Sequence, residues 1–500
     1  MVTFLTTCIC LLVITIILCY FYLTRNFNYW KNQNVQCVKP IPLFGSLFSV
    51  IAQRKSINGY LNFLYKSTTL PYIGFFVIDQ PSMLIRDPAL IRRILVGDFD
   101  SFQNRNVLNN KYDKYGKNLL SLLKQPKWKE VRSNLTSAFS SRKLRHMVPL
   151  LVEVCDDMIH YIKTDCLNLE SIDCKNISVN YEIDAISTCA FGIRTNSHEN
   201  SEFATAAKNV LGTNLLRAFQ MGAHFFAPLL VKIFRMKFCD PHSCLFLEKV
   251  LLKSMKERER LKIVRHDFLD LMKVIRAKNP QLFSRIVVYH EMVIGTFIQY
   301  LLGGLESSGS AMTYTIYELC MNPTIQTRLR NEILTVLAKH EIVTQETIQE
   351  MVYLDMVIKE SLRKYPPLPF IDRACNTTYT IPNTDIVIKK GMPVFISLTA
   401  LHHDENYFPN PMLFDPERFS SENKSSITPY TYMPFGDGYR NCLGIQFAIL
   451  SVSLGLINLL SNFEVIPCKD TPSVISYERS SFLLTPLHNK IYVKFRSLND

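Results

Sequence analysis

Phe435-Gly436-Asp437-Gly438-Tyr439-Arg440-Asn441-Cys442-Leu443-Gly444 leads straight into an apolar stretch whose periodicity predicts a helix over about Leu443 to Asn462. Each residue type here has a physical task. A thiol at Cys442 falls at a helix N-terminus, where unpaired backbone N–H groups and the positive dipole end are expected to lower its pKa and its electron density. Gly436, Gly438 and Gly444 let the backbone turn closely around a large flat ligand. Phe435 can shield the sulfur from water, and Arg440 offers a planar fork to a carboxylate. A buried structural thiol would account for Cys442 but not for its neighbours. The pattern F-x-x-G-x-R-x-C-x-G is expected by chance in roughly one in ten thousand chains this long, so coincidence is a poor explanation.

These residues resemble the haem-thiolate cysteine loop of the cytochrome P-450 family. The resemblance implies haem b (iron protoporphyrin IX) as cofactor, Cys442 as the proximal iron ligand, and Phe435, Arg440 and Gly444 around it. Glu360-Ser361-Leu362-Arg363 sets an acid and a base at i and i+3 just before Tyr365-Pro366-Pro367 stops the helix. Alone, that spacing reads as a surface ion pair. Phe414-Asp415-Pro416-Glu417-Arg418-Phe419 is similar to the family's aromatic segment, and the resemblance then implies a buried structural triad of Glu360, Arg363 and Arg418. Trp128 with Arg132, and Arg373 in Asp372-Arg373-Ala374-Cys375, look like the family's propionate contacts.

Leu301-Leu302-Gly303-Gly304-Leu305-Glu306-Ser307-Ser308 lies inside a long apolar helix, where two glycines cost about 1 kcal/mol each relative to Ala. The resemblance implies that this helix opens beside the iron to admit dioxygen, with Glu306 and Ser307 as the catalytic acid-alcohol pair. Ser307 stands where Thr is commoner and Tyr439 where Pro is frequent, departures that bear on coupling and on loop stiffness. Substrate contacts are expected from residues 100–122, from positions near Phe297 and Leu301, from Leu368 to Ile371 and from Phe482 to Leu484. Lys39-Pro40, Trp128 to Leu144, Asp184 to Gly192, Asp267 to Leu271 and Leu362 to Arg373 look like insect microsomal members that metabolise xenobiotics.

The 500 residues are 48% hydrophobic and 20% charged, which excludes a disordered chain, and the 14 cysteines show neither zinc-ribbon spacing nor the density of a disulfide scaffold. Length alone suggests two to four domains. No repeat or low-complexity linker divides residues 50–500, so one continuous body is expected, mainly α with small β-sheets (α+β), a cytochrome P-450 fold carrying a single haem domain. Short strands are expected at Tyr72 to Ile78, Met83 to Ile85 and Asp385 to Lys389.

Residues 2–23 carry no charge and span roughly 30 Å as a helix, the hydrocarbon thickness of a bilayer. Residues 1–24 are therefore expected to anchor the chain, followed by a Pro-containing linker over 25–49. Arg25 and Lys31 on its C-terminal side put the body in the cytosol, with the endoplasmic reticulum membrane as its seat. The sequons at Asn134, Asn176, Asn376 and Asn423 are silent there. The apolar run Met292 to Leu305 reads as a core helix, and His224 to Arg235 fits an interfacial segment or a core helix equally.

The excess of 56 Lys+Arg over 43 Asp+Glu does not by itself choose a partner. The basic run from Lys249 to Arg265 reads as a solvated helix face, and no nucleic-acid partner is expected. No phosphate-binding glycine loop is present, so reducing equivalents must come from outside. The resemblance implies an NADPH-dependent flavoprotein reductase, with cytochrome b5 as a further donor, and Lys127, Lys129, Arg142, Lys143 and Arg145 could steer it. His402-His403-Asp404 reads as structure rather than as a metal site. The expected reaction is monooxygenation of a lipophilic small molecule. The alternatives are a haem-thiolate isomerase or dehydratase, which needs no reductase, and a non-catalytic haem sensor.

Overall fold

The computed structural model describes residues 2–199, 201–212, 215–265, 267–278 and 286–498. Met1 and residues 499–500 of the expected anchor and body lie outside them. Helix α1 (Val2–Thr24) is uncharged, and its apolar window packs against nothing in the protein. The chain then settles onto strand β1 (Tyr72–Val77). Trp30 is fully buried, its Nε1 donating to the Phe75 carbonyl at 3.2 Å. Gly74 is required beneath it, since a Cβ there would enter the indole ring. Within the stretch expected as a stiff Pro-containing connector, Trp30, Cys37 and Gly45 are seated on the sheet.

Strand β1 pairs antiparallel with β2 (Gln80–Ile85), Tyr72 facing Ile85. Strands β3 (Phe370–Ala374) and β4 (Pro393–Ser397) complete a four-stranded sheet in the order β1-β2-β4-β3, with β2 and β4 parallel. Phe75, Leu84 and Phe395 fill its buried side. This sheet matters to the site because β3 carries Asp372 and Arg373. The expected strand at Asp385 to Lys389 shrinks to Val387–Ile388.

The helical layer is built on α2 (Lys127–Thr136), α3 (Ser141–Tyr161), α4 (Cys174–Phe191), α5 (Leu215–Phe226), α6 (Pro228–Ile233), α7 (Pro241–Leu261), α8 (Ile286–Met321), α9 (Val352–Lys364) and α10 (Ile445–Asn462). The fold is thus α-rich with small sheets, as the resemblance implied. Met292 to Leu305 falls inside α8, which runs past the core for 36 residues. Gly304 and Gly309 let α8 approach α4, since a Cβ at either would collide with Ile186 or Val179. The His224 to Arg235 stretch does both things expected of it. His224 is buried beside Phe238, while Pro228 starts a new helix that leaves Leu229, Ile233 and Phe234 exposed. In the basic run, Lys249, Lys253, Lys256, Arg260, Lys262 and Arg265 face solvent, but Arg258 turns inward to Asp267 at 2.6 Å.

Helix α4 is buried at every residue except Asn176, so its polar groups must be satisfied inside the protein. Glu182 Oε1 accepts from Ser451 Oγ at 2.8 Å, and Oε2 has no partner among the described residues. Burial pushes this carboxyl up to about 8. Between its ordinary value and about pH 8 the folded protein holds a proton that the unfolded chain has lost, so stability falls as pH rises through that window, by at most about 1.4 kcal/mol per unit. Glu182→Gln should flatten this slope between pH 5 and 8 in urea melts. An unchanged slope would mean that Glu182 is ionised in the folded protein.

Candidate functional site

A cavity of about 380 Å³ lies between α8 on one wall and the Phe435–Gly444 loop with the first turns of α10 on the other. The loop geometry follows from its glycines. Gly436 and Gly438 both adopt φ of +70°, and a Cβ on Gly438 would strike the Leu95 carbonyl. The loop then closes on itself, the Cys442 N–H donating to Phe435 O at 2.9 Å. Helix α10 begins at Ile445 with Gly444 at its N-cap, leaving Cys442 two residues ahead of the cap.

The Cys442 sulfur opens into the cavity while protein surrounds its other sides. Burial pushes its thiol up, against the opposing pull of the Gly444 N–H, Arg132 and Arg105. The expectation that the helix end alone would lower this pKa is therefore corrected. The dipole is felt only within the first turn, and desolvation of the sulfur outweighs it.

Arg105, Trp128, Arg132, Arg373 and Arg440 gather on the cavity's rim. Arg132 donates to Asn441 O at 2.8 Å and to Asn441 Oδ1 at 2.6 Å. Arg440 donates to Gln103 O at 2.6 Å and Leu123 O at 3.0 Å, its guanidinium 4.1 Å from the Trp128 ring centre. Burial and the neighbouring cations push Arg440 down to about 8, and burial with Arg105 pushes Arg373 down to about 9. Asp372 is the carboxylate among them, 4.0 Å from Arg105, and Arg373 Nε is buried without a partner among the described residues. Such a cluster is deficient in anions, a lack that the two propionates of a haem would meet. The chemistry of the donor set therefore fits the cofactor: a cavity-facing sulfur beneath, apolar walls around it, and guanidinium groups at one edge.

Across the cavity, α8 presents Gly303, Ser307 and Ser308. The expected opening of this helix is not seen, since α8 runs unbroken through both glycines. Space comes instead from the missing side chain at Gly303, which the cavity reaches directly. Ser307 Oγ donates back to the Gly303 carbonyl. Glu306 lies outside the cavity lining, its Oε2 held at 2.9 Å by Lys175 Nζ, which also reaches Ser310 Oγ at 2.9 Å. Glu306 and Ser307 are thus adjacent in sequence but turned to different faces of α8.

Glu360 and Arg363 are fully buried, paired through Nε to Oε2 at 2.7 Å and Nη2 to Oε1 at 2.8 Å. Arg418 Nε approaches Glu360 Oε1 at 3.4 Å, and the Asp415 N–H donates to the same oxygen at 3.0 Å. Arg363 also donates to the carbonyls of His402 and Pro411, binding the 402–415 chain to α9. His402 is consumed structurally: Nδ1 contacts Arg363 O and Nε2 accepts from the Met433 N–H. Among the described residues no cluster of three metal-ligating side chains exists.

A family model described as Cytochrome P450 matches residues 35–493. The chain belongs to the cytochrome P450 family. It is 37% identical to cytochrome P450 6k1 of Blattella germanica over 492 residues, covering 94% of this chain and 93% of that protein. It is 35% identical to cytochrome P450 6j1 of the same insect, covering 97% of each. To probable cytochrome P450 6v1 of Drosophila melanogaster it is 34% identical, covering 94% of this chain and 95% of the relative. Cytochromes P450 are haem-thiolate proteins whose iron is ligated by a cysteine, and their chemistry is monooxygenation.

Arg105, Leu120 and Ser121 line the cavity from within the expected 100–122 stretch, and half-buried Lys124 supports that stretch by donating to the Arg105 and Val107 carbonyls. Of the positions expected near Phe297 and Leu301, Gln299 and Leu302 line the cavity, while Phe297 and Leu301 themselves are packed into the core, Phe297 against Phe191 at 4.5 Å. Leu368, Ile371 and Leu483 line it, whereas Phe482 stacks on Phe225 at 5.0 Å. Lys143 turns toward the cavity rather than joining the exposed basic patch.

Removing one member of a buried pair leaves the other charge uncompensated. Glu360→Ala should destabilise the protein by roughly 3–5 kcal/mol in denaturant melts and lower the haem-loaded fraction. A loss below about 1 kcal/mol, the value of an exposed pair, would show that Arg363 and Arg418 find other partners.

Proposed function

We propose that this cytochrome P450 inserts one oxygen atom of O₂ into lipophilic small molecules, xenobiotic or endogenous, with Cys442 as the residue that would hold its haem iron and electrons drawn from NADPH through a flavoprotein reductase. The observation that carries this reading is the sharing of one apolar cavity by the open Cys442 sulfur, the Gly303–Ser307 face of α8 and the guanidinium rim. The bound haem supplies reductive oxygen activation, so that RH, O₂, two electrons and two protons yield ROH and water.

The chain's own residues divide the remaining work. Trp128, Arg132, Arg373 and Arg440, with Arg105, hold the propionates, and Phe435 and Gly444 cover the sulfur side. Carbon walls exclude water from the reacting face. Ser307 lines the cavity, and its hydroxyl, which donates to Gly303 O in this structure, would present a proton to the cavity on turning away from that carbonyl. Glu306, held by Lys175 on the far face of α8, would first take a proton from solvent and then pass it to Ser307, returning to the carboxylate that pairs with Lys175. Glu360, Arg363 and Arg418 act structurally, fixing the chain that leads into the cysteine loop.

Residues 1–24 anchor the protein in the endoplasmic reticulum membrane, and residues 50–500 form the catalytic body on the cytosolic side. Supporting this are the bare apolar α1 and the exposed Leu216, Phe219, Leu229, Ile233 and Phe234 of α5 and α6 with the residue after them, a surface suited to the bilayer interface. Exposed Lys127, Lys129, Arg142 and Arg145 favour an acidic electron donor, the reductase first and cytochrome b5 second.

Reconstitution with reductase and NADPH should yield an oxygenated product from a panel of lipophiles, read by mass spectrometry. Peroxide alone across the panel would overturn the reading. Cys442→Ala should abolish the red-shifted Soret band of the ferrous carbon monoxide complex, and persistence of the band would remove the ligand assignment. Ser307→Ala should raise the peroxide released per NADPH consumed, and a coupling ratio equal to wild type would take Ser307 out of proton delivery.

A further inference from the structure

Gln299 lies one helical turn before Gly303 and two before Ser307, on the same face of α8 and in the same cavity wall. Its amide is oriented by Ser121, whose backbone N–H reaches Oε1 at 3.0 Å and whose Oγ reaches the same atom at 2.9 Å. A backbone N–H can only donate, so the oxygen end of the amide must face Ser121 and the NH₂ end must face away. Nε2 accordingly stands 3.4 Å from the point a Cβ on Gly303 would occupy, overhanging the gap that glycine leaves. Neither of its N–H groups has a protein acceptor among the described residues.

The surroundings give this donor its consequence. Leu120, Leu302, Leu368, Ile371 and Leu483 make the nearby wall apolar. Arg132, Arg440 and Arg373 Nη1 direct guanidinium donors to Asn441, Gln103, Leu123 and Asp372 O, and the Ser307 hydroxyl is turned back on Gly303. Arg373 Nε and Lys143 belong to charged groups, so Gln299 supplies an uncharged side-chain donor on this face of α8. A fixed, uncharged N–H pair in an apolar wall favours a ligand that brings a neutral oxygen acceptor and disfavours one that covers the donor with carbon. We propose that Gln299 is a substrate-orienting residue and that the cavity is set for lipophiles carrying an uncharged oxygen acceptor, such as a ketone, ester or ether. The inference rests on the oxygenation reading above and adds the substrate feature it selects.

The test is a spin-state titration of the full-length haem-loaded protein with two matched pairs, phenylcyclohexane against 4-phenylcyclohexanone and fluorene against 9-fluorenone. Gln299→Leu should weaken the two ketones by roughly three- to tenfold, the range of one neutral hydrogen bond, and leave the hydrocarbons unchanged or tighter. Gln299→Glu keeps the bonds from Ser121 and loses the donor, so it should weaken the ketones likewise. Ser121→Ala frees the amide to rotate and should act in the same direction by a smaller factor. The regiochemistry of ketone oxidation should broaden in all three. Equal changes for ketone and hydrocarbon, no change in either, or a wild type that answers to neither pair while its carbon monoxide Soret band is normal would overturn the proposal and leave the oxygenation reading standing. Loss of that band from the wild type would instead strike the oxygenation reading itself.

Discussion

A cysteine sulfur that opens into a cavity, just ahead of a buried helix, is the constraint around which this protein is arranged. Two left-handed glycines and the hydrogen bond from Cys442 N to Phe435 O fix the sulfur's position. Its own environment does not favour the free thiolate, since desolvation outweighs the N–H groups and guanidinium charges nearby. Cytochromes P450 ligate their haem iron through a cysteine, and Cys442 is the cysteine that opens into this cavity.

Charge is managed on both sides of that sulfur, in opposite ways. At the rim, Arg105, Arg132, Arg373 and Arg440 are held close together with one carboxylate between them, an arrangement completed by an anionic ligand. Behind the loop, Glu360 and Arg363 satisfy one another in full burial, and Arg363 spends its remaining donors on backbone carbonyls. The first cluster makes a binding site and the second a rigid frame. The same side-chain types serve both ends because what differs is whether the partner charge comes from the chain.

What was legible in the sequence was whatever lies within a few residues along the chain. The cysteine loop, the Glu360–Arg363 spacing and the apolar α1 are local patterns, and each carries its physics in its own composition. Contacts closed by the tertiary fold left no such trace. Gln299 and Ser121 lie 178 residues apart, and Glu306 meets Lys175 across 131. No periodicity could announce that Glu306 faces α4 while Ser307 faces the cavity. The thiol pKa misled for a related reason: the helix-end field is a local term, whereas burial depends on everything packed around the sulfur. Phe297 and Leu301 likewise share an apolar helix with Leu302, and only the packing of α8 on α4 decides which of them meets a ligand.

Iron K-edge X-ray absorption on the haem-loaded protein addresses the sulfur's role without relying on turnover. The wild type should show one sulfur scatterer in the first coordination shell together with the porphyrin nitrogens, and Cys442→Ser should lose it while keeping the nitrogens. An iron shell of nitrogen and oxygen alone in the wild type, or a sulfur scatterer that survives Cys442→Ser, would contradict the account at its centre.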